Sequence, residues 1–235
     1  AQSMLMYHHD FWKAVPESYA TMTYRMPIPP LVVGTALDLG GPTLAEVVLG
    51  ILFSASIGFW FLFARRWGVR IALGAAALLT LYPAYGWMFH SVNSDGVFAA
   101  TFAAWLYMVG RAADEGTLKA FVRAGVAAGV MSMARHAGPV FLLMGLLPMV
   151  LTQQPLRRRL VLCGAYILPV VLVLGAWSLH NGIRYKAFAV SRPSYAFFPY
   201  WRAFVETRIV APENGPASRQ LAEAVRSELL ANEPY

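Results

Sequence analysis

A chain of 235 residues that is 58% hydrophobic and 13% charged, with mean hydropathy +0.51, stands apart from soluble globular domains, in which roughly 25% of residues are charged. Its formal charge of +7 does not point to nucleic acid, because the basic residues fall in short clusters between apolar runs, as in membrane proteins. The one cysteine, Cys163, lies inside an apolar run, which excludes an intrachain disulfide and leaves the redox compartment open.

The chain opens on Ala1 without a signal-peptide pattern, and His8-His9-Asp10 follows. Adjacent residues rarely converge on one ion and no second cluster exists, so no metal site is expected there. Pro27-Ile-Pro-Pro-Leu31 begins a short apolar stretch that Gly40-Gly41-Pro42 interrupts with turn chemistry. About a dozen residues cannot cross a bilayer as a helix, so residues 28–39 are predicted to form a juxtamembrane helix in the outer interface. Thr43, with Glu46 three residues on, reads as the N-cap of the first span.

Six apolar segments follow, about 43–64, 71–90, 96–111, 118–134, 137–152 and 160–179. The fourth and fifth are short against the ~20 residues of a full span, which implies tilt or a shallow hairpin hinged at Arg135-His136-Ala-Gly-Pro139. Connections carrying Arg65, Arg66 and Arg70, then Arg111, Lys119 and Arg123, then Arg157 to Arg159 alternate with connections poor in Lys and Arg. By the positive-inside rule the basic connections are cytoplasmic. Residues 1–42, Asp95, Arg135 and everything after His180 then belong to the outer face. Beyond Asn181 the composition changes to aromatic clusters and a polar stretch in which Leu221, Val225 and Leu229 have the spacing of an amphipathic helix. The chain stops at Tyr235 without closing an element, so a fragment cut at both ends is expected.

Few residues can carry chemistry in such a chain. Asp95, between the second and third apolar runs, is expected to face water or a counter-charge and to work on a ligand. It also suits the N-cap of a helix starting near Gly96, and the two roles are compatible. His90 and Asn93 share its loop and could hydrogen-bond a ligand, or simply be solvated. Arg135 and His136 interrupt a long apolar stretch. A guanidinium there must reach water, a carboxylate or a phosphate, the last by its bidentate fork; the alternative is snorkelling to headgroups. Arg184 and Lys186 lie outside against the positive-inside trend, which suggests anion binding. Asn181 joins them in the segment His180 to Lys186. No P-loop, dinucleotide fingerprint, nucleophile elbow, zinc-protease motif or Cys-x-x-Cys occurs.

One ordered series of residues resembles a known family. Pro-Ile-Pro-Pro-Leu31, Leu-Gly-Gly41 and a span ending Ala-Arg-Arg-Trp-Gly68 begin it. Leu81-Tyr-Pro83, Asp95, Met-Ala-Arg135, Ala-Trp177-Ser-Leu-His-Asn181-Gly-Ile-Arg-Tyr-Lys-Ala-Phe188 and Leu229-Leu-Ala-Asn-Glu-Pro-Tyr235 continue it. The series resembles the polyprenol-phosphate-sugar-dependent membrane glycosyltransferases of the GT-C fold, which include the protein O-mannosyltransferases and the lipid A aminoarabinose transferases. His180 stands where that pattern has Arg, and Ala176 where it has Pro. The family's catalytic acid sits in the first outer loop, after a first span that is missing here; the resemblance therefore leaves two readings, Asp10, although Phe-Trp-Lys after it matches poorly, or an acid in the missing N-terminal part.

The resemblance implies an all-α, multi-pass transmembrane protein of GT-C type, with an outer-face loop and juxtamembrane helix over 1–42, a bundle over 43–180 and the start of an outer domain over 181–235. It implies inverting transfer of a sugar from a polyprenyl-phosphate donor to a hydroxyl of a glycan, lipid or protein acceptor. Asp10 or Asp95 would be catalytic, and Arg135, Arg184 and Lys186 would hold the donor phosphate. His90, Asn93, His136 and Asn181 would contact substrate. No metal ligand is assigned and a divalent cation is left open; membrane lipids are partners and nucleic acid is not. The expected location is a bacterial-type cytoplasmic membrane, with the site on the outer face. A rival reading is a transporter or flippase subunit for a lipid-linked anion, using the same Arg135 and Asp95 without bond chemistry. In a third, a purely structural subunit, the outer charges would be ion-paired with each other.

Overall fold

The computed structural model describes residues 26–135, 138–186, 188–191, 211–224 and 226–227, and among them it contains helices and no strand. The chain divides into two compact units, Ala1–Arg192 and Pro193–Tyr235. The first is the membrane bundle.

A π-helical turn, Pro30–Gly34, leads into helix α1, Thr35–Ala64. Proline suits a helix start because its missing N–H falls where the first turn has no acceptor. Helix α1 is broken at Gly40 (φ −149°, ψ 17°) and Gly41 (φ 65°, ψ −161°). The positive φ at Gly41 is one that residues with a Cβ rarely adopt. The expected break is therefore present, but helical dihedrals resume at Pro42, so Gly41 precedes the helix and Thr43 lies in its first turn. The short arm before the break is packed into protein. Val33, Ala36 and Leu37 are buried with Ala45, Leu49, Val97 and Ala134, and the Ile28 N–H donates to the Met133 carbonyl at 3.2 Å.

After a 3-10 turn at Arg65–Trp67 the chain returns as α2, Val69–Leu81, and α3, Pro83–His90. One span was expected here; the two helices are bent by 60°. Pro83 has no N–H to continue the ladder, and its ring pushes the preceding residue out of the helical region, as Tyr82 shows (φ −81°, ψ 107°). Helix α4, Ser94–Glu115, then runs parallel to α1, with Trp60 against Phe102 and Phe59 against Tyr107. Gly116, at φ 61°, ends α4, and Thr117 caps α5, Leu118–Ser132, by accepting from the Ala120 N–H. The short helices α6, Gly138–Leu143, and α7, Leu147–Leu151, flank a 3-10 turn and lead to α8, Leu156–Tyr185.

The centre of the bundle is the packing of α5 on α8 and α4. A Cβ at Gly125 would lie 2.2 Å from the Tyr166 carbonyl oxygen, and one at Gly129 3.0 Å from Val173. Small residues let two membrane helices approach backbone to backbone, which compensates for the lack of a hydrophobic drive between helices in lipid. Trp105 donates its indole N–H to the Tyr166 hydroxyl at 2.9 Å, so the large polar-tipped rings of this core are satisfied.

Among the described residues, three stretches are long and apolar enough to cross a membrane: Pro30–Trp67, Ser94–Glu115 and Leu156–Arg184. The bent pair α2–α3 makes a fourth if it counts as one span. Helix α5 and the apolar stretch Val140–Leu151 are shorter. The protein is thus all-α and multi-pass, and its six apolar segments alternate in direction. One end of the bundle carries the connections with Arg66, Asp114 and Arg159; the other carries the α3–α4 turn, Arg135 and the end of α8. In the second unit, a 3-10 turn at Pro212–Asn214 precedes α9, Pro216–Ala224. Val225 and Leu229, the rest of the expected apolar stripe, lie outside the described residues.

Candidate active site

Helix α4 starts two residues earlier than its apolar run suggests. Asn93, extended at φ −138°, accepts the Asp95 N–H on its side-chain oxygen at 2.8 Å and donates its amide to the Ser91 hydroxyl at 2.6 Å. Asn93 is therefore the cap, in place of Asp95. That leaves the Asp95 carboxylate in the first turn of α4, where the helix dipole favours a negative charge.

The carboxylate is met by Arg135, just past the end of α5. Arg135 Nη1 donates to Asp95 Oδ1 at 2.5 Å. The hairpin of α4 and α5 brings the two residues, 40 positions apart, to the same end. The guanidinium also lies over the Phe98 ring, 5.9 Å from its centroid. Only one of its nitrogens is engaged by the carboxylate, so Nε and Nη2 have no partner among the described residues. The Asp95 and Arg135 side chains are 37% and 53% exposed. The pair is neither sealed in protein nor fully in solvent.

It stands on an open cleft of about 280 Å³ between α1, α3 and α4. Below Asp95 the wall is one face of α4, Phe98, Ala99 and Phe102, and the other walls are Trp60, Tyr85 and Met88. From Asp95 to Phe102 this face descends ~10 Å at helical rise. Tyr85 is fixed by donating its hydroxyl to the buried Ser56 Oγ at 3.0 Å and by rings at Phe53 and Phe89. A charged rim above an aromatic trough suits an amphiphile with an anionic head.

The other expected site residues are placed as follows. His90 is exposed at the end of α3 and does not line the cleft. Arg184 is exposed in the last turn of α8, and Lys186 caps it in the left-handed region at φ 54°. Both belong to the same end of the bundle as Arg135, because α5 and α8 run parallel, yet neither lines the cleft. Asn181 is fully buried: its amide donates to the Ala189 carbonyl at 2.9 Å, and Trp177 donates to the Val190 carbonyl at 3.0 Å. Phe188 closes this clasp over Gly182, where a Cβ would come within 2.4 Å of the ring. The structure thus brings Asp95 and Arg135 together, places Asn93 as the cap beside them, and gives Asn181 a contact with the Ala189 carbonyl. Asp10 and His136 lie outside the described residues. Trp60, Tyr85, Phe98 and Phe102 were not singled out from sequence. The signal for two of them was present, since Phe98 and Phe102 follow Asp95 at i+3 and i+7, one helical face.

Fold and cleft together define an integral membrane protein with an ion pair above an aromatic trough, at the end of the bundle opposite its basic connections. The family model for dolichyl-phosphate-mannose-protein mannosyltransferases matches residues 30–179. The chain belongs to that family and is a membrane glycosyltransferase of the class that uses polyprenyl-phosphate sugars. The matched region holds His90, Asn93, Asp95, Arg135 and His136, and leaves Asp10, Asn181, Arg184 and Lys186 outside it. No curated protein and no solved structure matches the chain.

Proposed function

We propose that the Asp95–Arg135 cleft takes a polyprenyl-phosphate sugar and transfers the sugar, with inversion, to an acceptor hydroxyl on the outer face of a bacterial-type cytoplasmic membrane. The family is named for mannose and protein, and a hexose passed to a hydroxyl-bearing chain is the corresponding reading here. The observation that carries it is the free edge of Arg135 at the mouth of an aromatic trough. The guanidinium fork pairs with the donor phosphate, and the trough holds the first isoprenoid units.

The acceptor oxygen attacks the anomeric carbon while the bond to the phosphate oxygen breaks. The acceptor proton passes to a carboxylate, for which Asp10 and Asp95 are this chain's candidates. The geometry parallels inverting glycoside hydrolysis with an acceptor in place of water. The departing phosphate needs charge stabilisation more than a proton, and Arg135 supplies it. Arg184 and Lys186, at the same end of the bundle, add positive potential for the incoming anion.

A purely structural subunit would also pair Asp95 with Arg135. It gives no reason for the pair to remain partly exposed above a cleft, and that favours a ligand. The test is consumption of radiolabelled polyprenyl-phosphate hexose by membranes containing the protein, with and without acceptor. Acceptor-dependent loss of donor that collapses in Arg135→Ala supports the proposal. Labelled lipid that crosses the bilayer intact would instead establish a transporter.

A further inference from the structure

The end of the bundle opposite the cleft carries a charge excess that its own contacts do not neutralise. Its acids among the described residues are Asp114 and Glu115. Asp114 accepts from Arg66 at 2.7 Å, and Glu115 is ion-paired to Arg111. Arg159 is also engaged, through Nε to the Gln154 carbonyl at 2.6 Å and Nη1 to the Met149 carbonyl at 2.9 Å. Six exposed cations remain there: Arg65, Arg70, Lys119, Arg123, Arg157 and Arg158. None of their side chains has a hydrogen-bond or ion-pair partner among the described residues. Among the described residues of the first unit the cleft end differs, since Asp38, Glu46 and Asp95 there equal Arg135, Arg184 and Lys186 in number.

These cations come from three connections that the fold ties together. The Arg66–Asp114 pair joins the end of α1 to the end of α4, and a Cβ at Gly116 would lie 3.6 Å from Gln154. Lys119 and Arg123 share one face of α5, one turn apart. Exposed apolar groups adjoin them, Trp67 at 59%, Leu118 at 43% and Leu156 at 62%. Arg66 stacks against Trp67, 5.6 Å from its centroid, which holds the ring beside the cationic rim. A soluble anion would satisfy the charge alone. A ligand that carries phosphate above acyl chains satisfies the cations and the apolar border together.

We propose that this end of the bundle is a binding site for the headgroups of anionic phospholipids, distinct from the donor cleft. The test uses the purified protein in neutral detergent, with retention of phosphatidylglycerol and phosphatidylcholine of identical chains read by native mass spectrometry. Phosphatidylglycerol is retained preferentially, the preference falls with salt, and Arg157→Gln/Arg158→Gln lowers its affinity about 30-fold. The charge-matched control Arg219→Gln/Arg226→Gln, in the second unit, leaves retention unchanged. Equal retention of the two lipids, or equal loss in the control, overturns the proposal. So does displacement of the lipid by millimolar inorganic phosphate, which would assign the site to a free anion. Donor turnover plays no part in the readout, so the two proposals stand or fall separately.

Discussion

If Asp95 and Arg135 work on a donor, removing them must affect turnover far more than stability. The two quantities can be bounded from the geometry. The pair is one 2.5 Å contact between side chains that are 37% and 53% exposed, and exposed pairs of this kind stabilise a fold by at most about 1 kcal/mol. Asp95→Asn or Arg135→Ala should therefore lower the midpoint of thermal unfolding by only ~2–4 °C in a chain of this size. Loss of the group that stabilises a developing phosphate charge costs roughly 100- to 1,000-fold in turnover, by analogy with removal of an oxyanion-hole donor. The assay pairs unfolding midpoints in one detergent with transfer from radiolabelled polyprenyl-phosphate hexose, for each single variant and the double. Two residues acting on one donor are non-additive in turnover, so the double variant should lose little beyond the worse single. Turnover that survives both substitutions, or that falls only in step with the folded fraction, would refute the site and leave the pair as a structural clip.

Gly125→Ala places a methyl against the Tyr166 carbonyl, where a Cβ would lie at 2.2 Å; it should destabilise the bundle by ~1–3 kcal/mol in a thermal or denaturant melt. Gly164→Ala, with nothing within 4 Å of its Cβ, should be silent, and equal effects would refute the close packing of α5 on α8. Ala99→Trp fills the cleft from the face of α4 between Phe98 and Phe102. It should raise the KM for donor without moving the melting midpoint, and an unchanged KM would place the isoprenoid elsewhere. Asn181→Ala strips the Ala189 carbonyl of its donor and should cost about 1 kcal/mol in the same melt; no loss would mean that the clasp does not hold the end of α8.

Much of this architecture was legible because a bilayer makes hydropathy a strong signal. The apolar segments and their alternation follow from run length and arginine placement, and Gly40-Gly41 announces its break. The bend between α2 and α3 escaped, since Leu78, Leu81 and Trp87 keep the run apolar throughout. One proline and its extended neighbour set the bend, and hydropathy does not register them. The start of α4 was misplaced for a local reason: Asn93, a short polar residue among several, captures the Asp95 N–H. Which of Asn93 and Asp95 becomes the cap is decided by backbone dihedrals that composition does not fix. Asn181 was read from its polar segment and from the family resemblance, and neither separates a ligand contact from the buried clasp it forms with the Ala189 carbonyl. The aromatic cleft needs three helices, and only its α4 face, 95, 98 and 102, lies in one stretch of sequence.

The Asn93 cap also shapes the site. It takes the Asp95 N–H, so neither carboxylate oxygen of Asp95 is needed for the cap and one is paired with Arg135. With the cap two residues earlier, at Asn93, the Asp95 charge stands on the helix face that carries Phe98 and Phe102. The tight α4–α5 connection at Gly116 then fixes the direction of α5, so that its far end delivers Arg135 to this face. Phe98 supports the guanidinium from beneath, and the unengaged Nε and Nη2 edge is left for an anion. On the proposed reading, Arg135 from the end of α5 meets the head, and the turns of α4 below Asp95 meet the tail. A ligand with phosphate and isoprenoid joined meets both at once, whereas a free sugar phosphate or a neutral lipid meets only one. This predicts that truncating the donor's chain weakens binding while leaving its dependence on Arg135 intact. Measuring donor affinity across a series of chain lengths in wild type and Arg135→Ala checks it: parallel slopes support separate head and tail contacts, and a slope abolished by the substitution refutes them.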